Sequence, residues 1–294
     1  MRHSSTRLFR YSSDVRPVLI VCLAAATSLV PFVIHPLGPR QWAAQWGQLA
    51  AWWIVSLYVR THAPYAQHNH GHLPVFNSKW LNRGYDVVLA LVTGYPTAFW
   101  ELHHNRGHHR NFLEPAKDVA RIIDLETGKP MSRAWYAVRG SFTIPFDSFR
   151  IAREEAARGK PEILRKLIGE LVTQFVVMGV LFWWNAPMAA LFVLLPNLLA
   201  SLLVWWESYV HHLDVPGDSV YSGSVTVTGE RFNRVNFNIG HHTAHHEKPT
   251  LHWSLLPERT EKIADRIPAV CVRETPGGGG LSGELSPAEL TTSS

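Results

Sequence analysis

In HHTAHHEKPTLHW, His241, His242, His245 and His246 crowd into six residues, with His252 just beyond. An imidazole can bind a metal through one ring nitrogen while the other sets its orientation, and residues three or four apart on a helix share a face. The chain uses the device repeatedly. His68 and His72 are four apart in HNHGH, His104 and His108 are four apart in HHNRGHH with His109 adjacent, and His211 and His212 sit together in WESYVHH. Thirteen of the 17 histidines fall in these four groups, so the clustering is the main chemical signal of the sequence. A lone pair of this kind is more often solvated or hydrogen-bonded than metal-bound. Several groups brought together are different, because as cations they would repel, and as neutral ligands of a metal they do not. One zinc takes about four protein ligands, so eight or nine imidazoles point to two ions. Imidazole suits iron, copper, nickel and zinc alike, and ligand type alone leaves the metal open. There is no HExxH zinc-protease motif, no nucleotide-binding glycine motif and no iron–sulfur cysteine pattern, Cys22 and Cys271 being far apart.

Four apolar blocks must position these groups: Pro17–Ile34, about Gln41–Tyr58, Leu167–Trp184 and Met188–Val210. Each is long enough, at about 1.5 Å per residue, to cross a hydrocarbon layer of about 30 Å. Trp52-Trp53, Trp183-Trp184 and Trp205-Trp206 lie near block ends, where amphipathic rings favour the membrane–water boundary. No small-residue cleavage site follows Ile34, so the first block reads as a span rather than a signal peptide. Lys and Arg number thirteen between Thr61 and Pro161 and seven after Val210, against none between blocks three and four. This bias predicts both termini and the long middle segment in the cytoplasm, and with them every histidine group. The net charge of +5 therefore fits membrane topology, with no nucleic-acid reader in the sequence.

The expected fold is an all-α integral membrane protein with about four transmembrane helices and a helical cytosolic cap. Its parts are a basic cytosolic segment (1–16), a transmembrane hairpin (17–60), a cytosolic segment with the first two histidine groups and interfacial helices (61–162), a second hairpin (163–210), a cytosolic segment with the last group (211–274) and a disordered Gly/Ser-rich tail (275–294). GYDVVLALVTGYPTAFW, Gly84 to Trp100, is too short and broken for a span and is expected to lie along the interface. Ala134–Lys160 suits a pair of interfacial helices or, equally, an ordinary amphipathic helix packed on the cytosolic part.

HxxxH (His68, His72), HxxxHH (His104, His108, His109) and HxxHH (His242, His245, His246), set around paired apolar blocks, resemble the membrane-bound fatty acid desaturase and hydroxylase superfamily. The likeness runs from about His68 to Pro257 and includes HNRGHHRNFLEPAKD and NIGHHTAHHEKPTLHWSLLP. The resemblance implies two non-haem iron ions that use O2 to remove hydrogen from an unactivated C–H bond of an acyl chain. It carries the ligand role to His68, His72, His104, His108, His109, His242, His245 and His246, and a ninth ligand best to His211, with His212 next. Many relatives have asparagine one turn before that ninth ligand; here Glu207 stands there, as a ligand or as a partner that orients His211. Asp118 is a candidate to accept a hydrogen bond from a ligating imidazole, Glu101 a weaker one, and His241, His70 and His103 are ambiguous neighbours. His252 is expected to pack on Trp253.

Desaturation is the expected reaction, on a lipid or acyl thioester at a bacterial inner membrane. Hydroxylation of a fatty acid or alkane is the close alternative, and the HxxGHH form of the second box is at home there. A non-redox zinc hydrolase or transporter is the rival from another class, but a transporter places its ligands within the spans. The sequence holds no ferredoxin, flavin or haem motif, so electrons are expected from an external ferredoxin or cytochrome-type carrier with its reductase.

Overall fold

The computed structural model describes residues 8–34 and 45–276. The start of the second apolar block at Gln41 and the expected disordered tail from residue 277 on lie outside the described residues. The described chain is all-α apart from one two-stranded parallel pair, Thr226–Val227 with Val272–Arg273. Helix α1 (Val15–Ile34) is followed by α2 (Trp46–Arg60), α3 (Ala63–His72) and α4 (Lys79–Thr93). Beyond a short helix at Thr97–Phe99 comes a π-helix at Trp100–His108, then α5 (Arg133–Ala157), α6 (Pro161–Ala189) and α7 (Leu195–Val210).

Two helical stretches among the described residues are long and apolar enough to cross a membrane, Ser12–Ile34 and Pro161–Val210. Against the four spans expected, the described residues hold two such stretches, the second of 50 residues containing blocks three and four together. That stretch is not straight. Asn185 leaves the helical region (φ −156°, ψ 92°) two residues before Pro187, which cannot supply a helical N–H. Gln174, ahead of this break, donates to the Gly94 carbonyl (2.7 Å), and Asn197, beyond it, donates to the Leu91 carbonyl (3.1 Å). Both arms therefore meet the same turn, which requires the chain to double back at Asn185. Gly94 makes that turn possible by ending α4 in the left-handed region (φ 84°).

The two stretches expected near the interface take definite form. The stretch from Gly84 to Trp100 is the second half of α4 and the start of a new helix, divided at Gly94–Pro96. Residues 134–160 form mostly one 25-residue helix, α5, with Pro145 inside it, which is the single packed helix and not the pair. Proline has no N–H for the carbonyl four residues back. That carbonyl belongs to Ser141, and the Tyr95 hydroxyl donates to it instead (2.7 Å). A tertiary contact has replaced the missing helical bond, so the helix runs on. Tyr136, Ile144, Trp205 and Tyr209 then join α5 and α7 in the largest buried cluster.

Arg60 ends α2 with its side chain fully buried. A short π-turn between α6 and α7, Ala190–Leu194, leaves backbone carbonyls without their usual helical donors. Arg60 takes up two of them, donating to Phe192 O (2.8 Å) and Val193 O (3.4 Å), and also reaches Val92 O of α4 (3.3 Å). The same guanidinium donates to Ser28 in α1 and Asn197 in α7. One cation thus connects four apolar helices through neutral acceptors. Arg60→Met is expected to leave these acceptors unpaired and destabilise the protein by on the order of 3 kcal/mol. A thermal melt in detergent checks this; an unchanged midpoint would show that the acceptors find other partners.

Candidate metal centre

Each histidine group arrives on its own element. Pro64 opens α3 and Pro74 follows its end, leaving a ten-residue helix on which His68 and His72 share a face. His104, His108 and His109 come from the π-helix and the residue after it, His109 N–H donating to the His104 carbonyl five residues back. His211 and His212 follow the last residue of α7. His242, His245 and His246 sit on a six-residue helix, α8 (His242–Glu247). Thr243 pins α8 to the strand side, receiving a hydrogen bond from Thr226 (2.8 Å) and donating to Ser224 O (3.2 Å).

The imidazoles converge in two groups. His68, His72, His104, His109 and His245 bring one ring nitrogen each within 4.8 Å of the others, and His108, His212 and His246 do likewise. His242 joins the second, its Nε2 lying 3.3 Å from that of His212 and 3.1 Å from that of His246. The π-helix decides the partition. In an α-helix His104 would share a face with His108; the wider turn aligns it with His109, their Nε2 atoms 3.0 Å apart, and sends His108 to the second group, 3.4 Å from His246. Gly107 lets this helix sit close, since a Cβ there would meet Val119 at 2.6 Å.

The first group repeats the same short Nε2 spacing, 3.0 Å for His72–His68, 3.1 Å for His68–His245 and 2.9 Å for His109–His245. A metal bound at about 2.1 Å places neighbouring nitrogen donors roughly 3.0 Å apart at right angles and roughly 3.4 Å apart at tetrahedral angles. These contacts fall in that range. Two neutral rings can share only one proton between facing nitrogens, so a cluster of this size leaves lone pairs aimed at one another, which a cation relieves. Burial, then the neighbouring imidazoles, holds His68, His72, His104, His109, His242, His245 and His246 well below the ordinary imidazole pKa. Burial likewise brings His212 down to about 3. All are neutral at physiological pH, the form in which an imidazole can bind a metal. Asp118 reaches His108 Nδ1 with both oxygens at 2.9 Å and also accepts the Ala120 N–H (2.8 Å). It therefore fixes the proton on Nδ1 and aims Nε2 at the second group.

Several candidates lie elsewhere. His211, expected ahead of His212, stacks on His242 at 4.5 Å, and it is His212 that enters the second group. The helical exit explains the swap: the His211 carbonyl receives the Val225 N–H (2.7 Å), and the next residue faces the cluster. His241 turns away to Thr260 (3.0 Å). Glu207 makes an ion pair with Arg133 (3.6 Å) and belongs to neither group. Glu101 pairs with Lys166. His70 is buried against Asp86 (3.2 Å), and His103 is buried edge-on to Trp205. His252 packs beside Trp253 as expected, ring centroids 5.4 Å apart, and it also hydrogen-bonds Asp14 (2.9 Å) and stacks on Tyr11, while Trp253 donates to the same carboxylate.

A narrow cavity reaches both groups. Tyr65, Trp100, Val204 and Ile239 line it with His68, His104, His108, His212 and His242, and Glu207 stands on its wall. Trp100 is the residue sequence reasoning passed over. It lies four positions before His104, packs on His68 and His104, and its buried indole N–H has no hydrogen-bond partner.

Compared with known proteins, the chain matches the family model described as fatty acid desaturase over residues 41–277. No curated protein matches it.

The geometry gives opposite expectations for two neighbouring residues. His212→Ala should lose metal from the second group, whereas His211→Ala should keep the full complement; metal per polypeptide by plasma mass spectrometry reads both, and the reverse pattern would restore His211 as the ligand. Asp118→Asn should weaken the second metal by about 10- to 100-fold in a chelator competition while leaving the first in place.

Proposed function

The chain belongs to the fatty acid desaturase family, and on that premise we propose that it is a membrane enzyme that places a double bond in an acyl chain using O2 and externally supplied electrons. The observation that carries this reading is the convergence of nine buried or half-buried imidazoles in two adjoining groups. His68, His72, His104, His109 and His245 would hold one iron, and His108, His212, His242 and His246 the other. A bound non-haem di-iron pair supplies O2 activation and hydrogen removal from an unactivated C–H bond. An all-imidazole set of this size exceeds the four positions of a zinc site, which disfavours a zinc hydrolase, and the groups lie outside the long apolar helices, which disfavours a transporter.

The chain's own residues bind and orient. Asp118 holds His108 in one tautomer through two hydrogen bonds. Tyr65, Trp100, Val204 and Ile239 give an alkyl chain an apolar path to the imidazoles and keep water from the reacting carbon. Each desaturation consumes one O2, two electrons and two protons, and yields one alkene and two waters, so a carrier and its reductase must supply the electrons. In the membrane we place four crossings, two of them the arms either side of Asn185, with termini and site in the cytoplasm of a bacterial inner membrane, as the Lys and Arg distribution favours.

Expression in a host with a defined fatty-acid profile, followed by lipid analysis, tests the reaction. A new unsaturated acyl chain, lost in His245→Ala, is the expected result. A new hydroxylated chain with the same dependence would make this a hydroxylase, and two-iron protein that alters no acyl chain when chemically reduced would overturn the reading.

A further inference from the structure

On the far side of the π-helix from the substrate cavity lies a second concavity of about 430 Å³, walled by seven cationic side chains and three carboxylates. Its charge is arranged, not scattered. Glu155, buried at 2 % side-chain exposure, gathers Arg106 (2.7 Å), Arg110 (2.7 Å) and Arg158 (3.0 Å), so one carboxylate anchors three guanidinium groups. Arg150 pairs with Asp147 (3.2 Å) and Glu154 (3.0 Å). Arg121 and Arg139 complete the basic wall, Arg121 donating to the Asp118 carbonyl (3.1 Å) with its buried Nε unpartnered, and Lys117 stands on the rim, paired with Glu114. The lining retains four positive charges beyond its three carboxylates.

Position makes this concavity more than a basic patch. Gly107 and Val119 form part of its lining, and each is one residue from the His108–Asp118 pair that serves the second imidazole group. A negatively charged surface seated here would come within a backbone's thickness of His108, on the face opposite the acyl path. We infer that this arginine-lined concavity is the docking site for an acidic one-electron carrier protein, whose carboxylates enter among Arg139, Arg150 and Arg158. The inference rests on the proposed function and supplies its missing partner. Two reduced carriers dock in succession, each leaves oxidised by one electron, and together they provide the two electrons that, with two protons, reduce O2 during one desaturation. Opposite charge steers such encounters and makes them salt-dependent.

The test measures binding first. Full-length protein in lipid nanodiscs is titrated with an acidic [2Fe–2S] ferredoxin at several salt concentrations, beside Arg139→Glu/Arg150→Glu and a distant control, Arg231→Glu/Arg234→Glu. The expected result is a Kd that rises with salt and is at least about tenfold weaker in the first variant, with the control unchanged and metal content equal in all three. A single charge-neutralising variant, Arg139→Gln, should weaken binding in the same direction if the reversal disturbs folding. Equal binding by wild type and both Arg139 variants overturns the inference, as does equal weakening in the distant control. Normal carrier binding with weakened binding of inorganic pyrophosphate also overturns it, in favour of a site for a phosphate-bearing small molecule. Failure of the functional reading looks different: chemically reduced wild type would then leave acyl chains unaltered whatever the carrier does.

Discussion

Neutral imidazoles do not pack together willingly. Facing ring nitrogens about 3 Å apart leave lone pairs opposed, and protonation would replace that cost with charge repulsion in a site with little water to screen it. Cations between the rings would relieve that cost, and without them the scaffold must hold the rings in place by itself. That requirement accounts for much of the surrounding structure. Asp118 braces His108, Thr226 and Thr243 pin the helix carrying His242, His245 and His246, and Asn105 ties the π-helix to the end of α3 through the Gly71 carbonyl (2.9 Å). Each brace is a short hydrogen bond to an element that brings ligands, and together they assemble donors from four segments that are far apart in sequence.

The same economy of local exceptions operates in the apolar helices. A π-turn between α6 and α7 frees carbonyls, and Arg60 collects them; Pro145 leaves a carbonyl without a donor, and Tyr95 supplies one. In both places an irregularity that would be costly in isolation becomes a tertiary contact. The π-helix at Trp100–His108 is the functional version of this pattern. Its wider turn separates His104 from His108, which an α-helix would keep together, and divides one short motif between the two imidazole groups.

Spacing made much of the site legible. His68 and His72 fall as an α-helix dictates, and imidazoles from all four histidine groups converge, as their clustering in sequence suggests. Asp118 was visible as a carboxylate close behind the second box. The rest depended on geometry that spacing does not encode. Nothing in HHNRGHH announces a π-helix, so His108 and His109 exchange roles relative to an α-helical reading. His211 and His212 are equivalent in sequence until the carbonyl of His211 is engaged by Val225. Trp100, at the end of the stretch expected along the interface, packs against His68 and His104, a contact that spacing does not encode. The acceptors of Arg60 lie on three other helices and come together only once those helices are packed.

The N-terminal segment has a consequence for the order of assembly. Asp14 holds His252 and Trp253, 238 and 239 positions away, and the Phe9 segment pairs beside Phe76 just past the first histidine box. The loop that follows the last histidine helix is therefore held by a segment made far earlier, closing a circuit of 238 positions among the described residues. During translation the early histidines are made with nearly half of their company still to come. The set of nine is complete only once His246 has been made, so a metal held by all of it would be captured late in biogenesis and would not seed it.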